Sequence, residues 1–286
     1  MEPSISAIKP ETIPGVVAIL GLGLMGGSLG LALRARGVHV IGWGRREETR
    51  REALLRRAAH ECTETASEAV SRADLVVLAT PVDTILPLLR EIMPALSDGT
   101  AVTDVGSVKG RIVSEAEALI GGRFVGGHPM CGNEESGIAA ASERLYEGAI
   151  WAVTPTSYTD PASLARACAM IECAGAVVRQ YNPADHDRYV ACVSHLPHVL
   201  AYGLNRTAWS LASEGMELAA GSFRDGTRVA RSAAELWSGI LLNNSDAVCI
   251  ALDAFSEWMM QVRNTITVQD EEKLSELLRN IPRPPS

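Results

Sequence analysis

The stretch "GLGLMGGSLG", residues 21–30, decides how the first half of this chain folds. It follows the apolar run "VVAIL" at residues 16–20 and contains the pattern G-x-G-x-x-G at Gly21, Gly23 and Gly26. In a turn from strand to helix, these glycines permit a tight bend, close approach of a pyrophosphate and close helix packing, respectively. The stretch therefore predicts a dinucleotide site, with a ligand-free glycine-rich turn as the alternative.

The rest of the first half repeats this rhythm of short apolar runs separated by helix-length segments. The runs are "VHVIGW" (38–43), "DLVVLAT" (74–80), "TAVTDV" (100–105), "RFVGG" (123–127), "AIWAVTP" (149–155) and "GAVVRQY" (175–181). Such alternation is typical of βαβ units and a mainly parallel sheet. We expect an α/β, Rossmann-like NAD(P)-binding domain over residues 1–182.

After residue 182 strand-like alternation ceases, and an all-α substrate and dimerisation domain is expected over residues 183–286. Its first helix, over about 185–212, contains Pro197, which should kink the helix or open its hydrogen-bond ladder. Broad apolar faces indicate a homodimer, although a monomer core is the alternative. They include Leu236, Ile240, Leu241, Val248, Ile250, Leu252 and Phe255.

Composition excludes several classes of partner. With 47% hydrophobic and 21% charged residues and a net charge of -8, the chain has no basic field for nucleic acid. The start, "MEPSISAIKP", lacks the features of a secretory signal, so a cytoplasmic location without a membrane partner is expected. The six cysteines have no spacing typical of zinc or disulfides. His195 and His198 lie three apart without a third ligand, so no metal is expected.

The residues around the cofactor can be extended from the glycine turn. Leu24 and Met25 open the helix after it and belong to the predicted site. After the second strand, an acid usually holds the ribose 2'-hydroxyl of NAD, but here Gly44 is followed by Arg45 and Arg46. Guanidinium groups suit a 2'-phosphate, so NADP is favoured over NAD. The alternative is that both arginines only solvate a helix start.

Polar residues follow three of the predicted strands, where an open α/β sheet places its ligand crevice. Thr80 ends the third run and Pro81 follows it, and both are assigned to the cofactor; Ser107 and His128 follow the next two runs. Pro129 holds His128 extended, so its ring can project into the crevice. We expect His128 to be a catalytic base, although isolated histidines are more often surface or core residues.

Motifs along nearly the whole chain, from Val16 to about Trp237, resemble the prephenate and arogenate dehydrogenase family of tyrosine biosynthesis. They are "GLGLMGGSLG", "TDVGSVKG", "GGHPMCGNEESG", "LYEGAIWAVTP", "DHDRYVACVSHLPHVLA" and "GSFRDGTRVARS", in the order of the family. The resemblance implies oxidative decarboxylation of a cyclohexadienol, with hydride passing from ring C4 to nicotinamide. His128 would accept the proton of the C4 hydroxyl, and Ser107 would hydrogen-bond nearby. Ser107 as a helix N-cap remains an alternative.

The resemblance also assigns the substrate tail to the helical domain. It implies that Ser194 and His198 face the substrate side chain and that Arg228 clamps a substrate carboxylate. Asp225 would support Arg228, or be an ordinary surface acid. Trp237 would reach a neighbouring subunit's site.

The substrate choice stays open between prephenate, giving 4-hydroxyphenylpyruvate, and arogenate, giving tyrosine. Prephenate is slightly favoured because His198, as a hydrogen-bond donor, would suit a keto group, whereas an acid near the amine would favour arogenate. Two other classes are less favoured. Lysine-dependent 3-hydroxyacid dehydrogenases need a lysine that residues 110–272 lack. A non-enzymatic NADP-binding redox sensor would need the glycine turn but not His128, Ser107 and Arg228.

Overall fold

The computed structural model describes residues 13–279, 281 and 282. Parts of both predicted domains, at residues 1–12, 280 and 283–286, lie outside the described residues. The strands are β1 (Val16–Leu20), β2 (His39–Trp43), β3 (Glu61–Cys62), β4 (Leu75–Leu78), β5 (Ala101–Asp104), β6 (Phe124–Pro129), β7 (Ile150–Thr154) and β8 (Val177–Gln180). Seven of them coincide with the predicted runs, and β3 was not predicted because two residues are too few to produce an apolar pattern.

The strands form one 8-stranded sheet in the order β3-β2-β1-β4-β5-β6-β7-β8. Neighbouring strands are parallel except β6 and β7, which are antiparallel. A parallel crossover usually needs a helix, and between β6 and β7 the chain forms only a 3-10 turn at Ile138–Ala140. The mainly parallel sheet predicted from the sequence is therefore confirmed, with one reversal after the strand that carries His128.

Among the described residues, six helices accompany the sheet and six follow it. The first six are α1 (Leu24–Ala35), α2 (Glu47–Leu55), α3 (Ala66–Val70), α4 (Val82–Ile92), α5 (Gly110–Ile120) and α6 (Pro161–Cys173). The second six are α7 (Pro183–Val190), α8 (Leu196–Ala212), α9 (Gly221–Thr227), α10 (Ala234–Asn243), α11 (Ser245–Thr267) and α12 (Glu271–Arg279). The change from strands to helices falls between Gln180 and Pro183.

Both faces of the sheet are buried, as βαβ connections require. Val17 and Ile19 of β1 belong to one hydrophobic cluster, which includes residues of α1 and α6. The alternate residues Ala18 and Leu20 belong to a second cluster, which includes α3, α4 and α5. Helices on both faces leave the carboxyl edge of the parallel strands as the place for a ligand crevice.

The first helix of the second half is interrupted where Pro197 predicts it. A π-helical turn at Ala191–His195 separates α7 from α8, whose second residue is Pro197. Proline has no N–H and crowds the preceding turn, so the regular ladder opens there. His195, the last residue of this turn, lies close enough to His128 on β6 to lower the pKa of that histidine.

The apolar faces predicted in the helical half divide between two environments. Trp237 and Ile240 of α10 are buried in the same cluster as α4, which joins the two halves. Leu242 and Ile250 are instead 76% and 71% exposed. Within the part of the chain that the structure describes, no helix has the length and apolar character to cross a bilayer.

Candidate active site

The glycine turn at the start of α1 has two crowded positions and one open position. A Cβ atom at Gly21 would lie 2.4 Å from the carbonyl oxygen of Ala79, and one at Gly26 would lie 1.9 Å from that of Gly21. Gly21 also has a φ of +108°, which disfavours other residues. A Cβ at Gly23 would meet no described atom within 4 Å. Packing thus explains the outer glycines, and the free space at Gly23 beside the start of α1 fits a pyrophosphate.

The other predicted cofactor residues surround this turn. Leu24 and Met25 are half-buried in the first turn of α1. Thr80 follows β4, and its methyl group lies 3.0 Å from where a Cβ of Gly21 would be. Its hydroxyl oxygen is buried without a hydrogen-bond partner among the described residues. Pro81 directly precedes α4. The closeness of Gly21 and Thr80 shows that the ends of β1 and β4 meet at the glycine turn.

The end of β2 carries positive charge and no acid. Arg45 and Arg46 are exposed, and neither forms an ion pair with any residue that the structure describes. Arg50 donates to the carbonyl of Gly44 at 2.7 Å. A Cβ at Gly44 would have Thr49 Cγ2 as its nearest neighbour, at 3.6 Å. Two guanidinium groups without an ion-pair partner among the described residues therefore lie at the end of β2, beside a glycine where a Cβ would make only ordinary contacts.

His128 is the first member of a buried hydrogen-bond chain. Its Nδ1 lies 2.9 Å from Nε2 of His186, and Nδ1 of His186 lies 2.8 Å from Oδ1 of Asp187. An ionised carboxylate can only accept, so His186 carries its proton on Nδ1 and, when neutral, accepts at Nε2. His128 must then donate from Nδ1. Its Nε2 is left without a proton and can accept one from a substrate.

Asp187 also closes the N-terminus of α5. Its two carboxylate oxygens each accept a backbone N–H at 2.7 Å, one from Lys109 and one from Gly110. Ser107 is therefore not the helix cap, because α5 begins after Lys109 and its free N–H groups go to Asp187. Ser107 is half-buried in the loop after β5, and its side chain makes no hydrogen bond to a described residue.

A buried ion pair lies behind His128. Lys109 and Asp104 are paired with no exposed side-chain surface, and Lys109 Nζ also donates to the carbonyl of Gly127 at 2.8 Å. Burial lowers the pKa of His128 well below 6.5, and the electrostatic influence of the neighbouring His186, Lys109 and His195 lowers it further. His128 is thus neutral in the resting protein.

His198 and Trp237 form a stacked pair within one chain. Their ring centroids are 3.5 Å apart with an interplanar angle of 21°. Nδ1 of His198 lies 2.9 Å from the backbone oxygen of Ser194, so it must donate. Burial, the largest cause, lowers the pKa of His198. The neutral ring therefore offers an acceptor at Nε2, where a donor was expected. Trp237 stacks on a histidine of its own chain, and its reach into a neighbouring subunit's site stays a prediction.

Arg228 has a different partner from the one expected. It pairs with Glu134, Nη1 to Oε2 at 3.1 Å, in the loop after β6. Asp225 is exposed, and its carboxylate forms no ion pair with Arg228; only its backbone oxygen accepts from the N–H of Arg228. The carboxylate of Asp225 is exposed on the short helix α9, so in this chain it contacts Arg228 only through the backbone, and its supporting role stays a prediction. Arg228 nevertheless lies near His198, whose pKa it lowers.

Four residues of this region were not identified as site residues from the sequence. His186 and Asp187 occur in "DHD", which resembles the polar first turn of a helix, and Glu134 lies in a loop without a pattern. Asn244 donates to the backbone oxygen of Asp187 at 2.8 Å and lies 3.2 Å from Nδ1 of His195. That leaves Nε2 of His195 protonated, buried and without a partner among the described residues. The available signal was the quoted motif around "DHD".

The chain is similar to known proteins along most of its length. A family model described as prephenate dehydrogenase, nucleotide-binding domain, matches residues 29–180. A second, described as prephenate dehydrogenase, dimerization domain, matches residues 182–280. Prephenate dehydrogenase of Bacillus subtilis (strain 168) is 34% identical over 271 residues, which cover 92% of this chain and 72% of the relative.

Two solved structures share the fold closely. Prephenate dehydrogenase from A. aeolicus, in complex with hydroxyphenyl propionate and NAD+, has a TM-score of 0.86 and 33% identity, covering 92% of this chain and 94% of that one. Synechocystis arogenate dehydrogenase has a TM-score of 0.79 and 35% identity, covering 92% and 96%. Proteins acting on either cyclohexadienol are thus similar to this chain at comparable identity.

Proposed function

Because the chain belongs to the prephenate dehydrogenase family, we propose that it oxidatively decarboxylates prephenate to 4-hydroxyphenylpyruvate with a pyridine nucleotide, NADP being preferred. The chain is a dehydrogenase of this family, and what is proposed is its substrate and cofactor preference. The observation that carries the dehydrogenase chemistry, whichever substrate and cofactor are used, is the unprotonated Nε2 of His128, fixed by His186 behind it.

The reaction needs a base for one hydroxyl proton, and His128 supplies it. Its Nε2 accepts the proton of the C4 hydroxyl while the ring carbon loses hydride. The bound nicotinamide supplies the hydride acceptor. Ser107, half-buried in the loop after β5, orients the same hydroxyl. Loss of the ring carboxylate as carbon dioxide then makes the ring aromatic.

The glycine turn and its surroundings fit the cofactor. The space at Gly23 and the buried, unpartnered hydroxyl of Thr80 suit a dinucleotide lying over the ends of β1 and β4. Arg45 and Arg46 have no acidic partner among the described residues, so a 2'-phosphate would be their counterion. Leu24, Met25 and Pro81 would line the same groove. This is the basis for preferring NADP.

The tail of the substrate is proposed to lie between α8, α9 and α10. Arg228 would bind the side-chain carboxylate through its fork of N–H groups, after exchange with Glu134. Ser194 and His198 would face the tail, and Trp237 would hold His198 in place by stacking. Asp225 keeps a supporting part only through its backbone contact with Arg228.

Two observations favour arogenate as a second candidate. Nε2 of His198 is an acceptor in the neutral ring, and an amine can donate to it whereas a keto oxygen cannot. Glu134 also places a carboxylate beside Arg228, where it could pair with an ammonium group. Tyrosine would then be formed directly.

We propose that residues 1–182 bind the nucleotide and that residues 183–286 complete the substrate site and form a homodimer. The second family model describes a dimerization domain. Leu242, Ile250, Leu211 and Trp209 are exposed apolar residues on α8, α10 and α11 that such a contact would cover.

The test is reduction of NADP and NAD by the purified protein, with prephenate and arogenate in parallel, followed at the absorbance of the reduced cofactor. We expect the highest kcat/KM with NADP and prephenate, and the product is identified as 4-hydroxyphenylpyruvate or tyrosine. His128→Asn serves as the inactive control. Absence of turnover with both substrates and both cofactors would leave the non-enzymatic NADP-binding sensor as the better interpretation.

A further inference from the structure

We propose that His186 and Asp187 form a proton relay behind His128 that takes over the positive charge created when the substrate is oxidised. The relay rests on the proposed function, because it needs His128 to act as a base. When Nε2 of His128 accepts the hydroxyl proton, the Nδ1–H bond of His128 breaks and an Nε2–H bond forms on His186. No electrons are exchanged in this transfer. After product release the transfer reverses, and His128 loses its Nε2 proton to solvent.

The geometry provides an unbroken path for this proton. His128 Nδ1 to His186 Nε2 is 2.9 Å, and His186 Nδ1 to Asp187 Oδ1 is 2.8 Å. Both distances are those of ordinary hydrogen bonds. The side chains of His186 and Asp187 are 2% and 13% exposed, so water does not compete strongly for these bonds. The hydrogen positions required for the transfer follow from Asp187 being an acceptor.

The charges around the chain favour a cation on His186 over one on His128. His128 lies near the positive charge of Lys109 and is buried, with 8% of its surface exposed, and both features oppose its protonation. His186 is in direct contact with a carboxylate. That carboxylate is held in place by the N–H groups of Lys109 and Gly110 at the start of α5. Proton transfer therefore moves the positive charge from His128, which lies near Lys109, to His186, which contacts the carboxylate of Asp187.

The other ionisable groups facing the relay do not offer a competing route. Asp104 on β5 is committed to Lys109 and to the N–H groups of Gly106 and Gly127. His195, from the π-helical turn, receives a hydrogen bond from Asn244 at Nδ1 and lies beside Trp237. Asp187 is thus the anion in direct contact with the histidine pair. His186 and Asp187 are positioning residues, since of the three relay members only His128 is proposed to touch the substrate.

One experiment tests the resting arrangement without any turnover. The protein contains six histidines, so selective 15N labelling of imidazoles gives a small set of signals. At pH 7.5 with NADP added, we expect His128 to be protonated at Nδ1 and bare at Nε2. We expect His186, which accepts the proton from His128 in the relay, to be protonated at Nδ1 as well. A His128 signal protonated at Nε2 would overturn the relay whatever the substrate proves to be.

A second experiment measures the pH profile of kcat/KM. In Asp187→Asn the relay loses its anion, so the acid limb should move down by about one pH unit and kcat should fall about tenfold to a hundredfold. Asp185→Asn is the matched control, because Asp185 lies on the same helix, is half exposed and pairs only with Arg188 among the described residues. Its profile should equal that of the wild type.

His186→Gln separates loss of the relay from a folding defect. Gln can still accept a hydrogen bond from His128 but cannot become a cation. Asp187 keeps its contacts with α5 in this variant. The same downward shift of the acid limb is expected, with unchanged NADP binding. If both variants retain the wild-type limb, the relay is refuted, even where stability or kcat has changed. If the wild type itself fails to turn over either substrate, the proposed function fails, and the labelling experiment still decides the hydrogen arrangement.

Discussion

Lys109 and Asp104 form an ion pair with both side chains fully buried, and Lys109 also binds the carbonyl of Gly127, the residue before His128. Lys109→Met would leave the Asp104 carboxylate buried without its cation. We expect a loss of about 3–5 kcal/mol in the free energy of unfolding, measured by denaturant at fixed protein concentration. The double variant Lys109→Met/Asp104→Asn removes the unpaired charge and should recover part of the loss. Equal stability of the single and double variants would contradict this account.

His128→Asn removes the proposed base while keeping a side chain of similar size at the end of β6. We expect kcat to fall by roughly 10² or more, with NADP affinity unchanged, because only proton transfer is affected. Steady-state kinetics and cofactor titration measure the two quantities. His60→Asn, in the exposed turn before β3, is the control. Near-normal turnover of the His128 variant would refute its role.

Arg228 and Glu134 allow the two substrates to be separated. Arg228→Ala should mainly raise KM for both, because the carboxylate contact is made in ground and transition states alike. Glu134→Gln frees Arg228 and removes a possible partner of an amine. We expect KM for prephenate to fall and KM for arogenate to rise, each by about threefold to tenfold. Changes in the same direction for both substrates would argue against a contact between Glu134 and the amine.

The cofactor preference can be tested at the end of β2. Arg45→Ala/Arg46→Ala should raise KM for NADP by about tenfold or more and leave KM for NAD nearly unchanged. Adding Gly44→Asp should favour NAD, since a Cβ there has no neighbour closer than 3.6 Å. Arg51→Ala, an exposed arginine of α2, is the matched control. Equal losses for NADP and NAD would sink the 2'-phosphate assignment.

The parts of the fold that were predicted depend on neighbouring residues. The glycine turn, the apolar strands and the helix-length segments between them each arise from a continuous pattern, and the family and fold class are confirmed. The two-residue strand β3 has no such pattern. The reversal of β7 follows from the absence of a crossover helix, which an apolar run by itself does not indicate.

The parts of the site that were missed depend on distant residues. His128 meets His186, 58 positions later, and Asp187 caps α5 across 78 positions. Nothing in "DHD" distinguishes a relay from a helix start. The N-terminus of α5, for which Ser107 was the alternative cap, is instead capped by Asp187. Likewise the side chain of Arg228 pairs with Glu134, 94 positions earlier, and not with Asp225, which lies much nearer in the sequence. Local patterns located the strand end with His128, but pairing of side chains required the folded chain.

Acid sensitivity follows from three histidines, of which His128 and His195 are buried and His198 is half-buried. Burial is the largest cause that lowers the pKa of each, to about 4 for His195. As pH falls, the unfolded chain therefore binds more protons than the folded one. The contribution of these histidines to the free energy of unfolding is full above pH 6.5 and is lost as pH falls. For His195 this loss occurs between pH 6.5 and about pH 4. Each group adds a slope of at most about 1.4 kcal/mol per pH unit.

We therefore expect the free energy of unfolding to fall steadily from pH 7 to pH 4.5, with a smaller slope in His195→Gln. Gln keeps an acceptor for Asn244 but does not gain a proton in this range. His39→Gln is the control, because its side chain is 44% exposed at the start of β2. Denaturant titrations at several pH values and one protein concentration give the slopes. Parallel curves for the wild type and His195→Gln would show that burial of this imidazole does not govern acid stability.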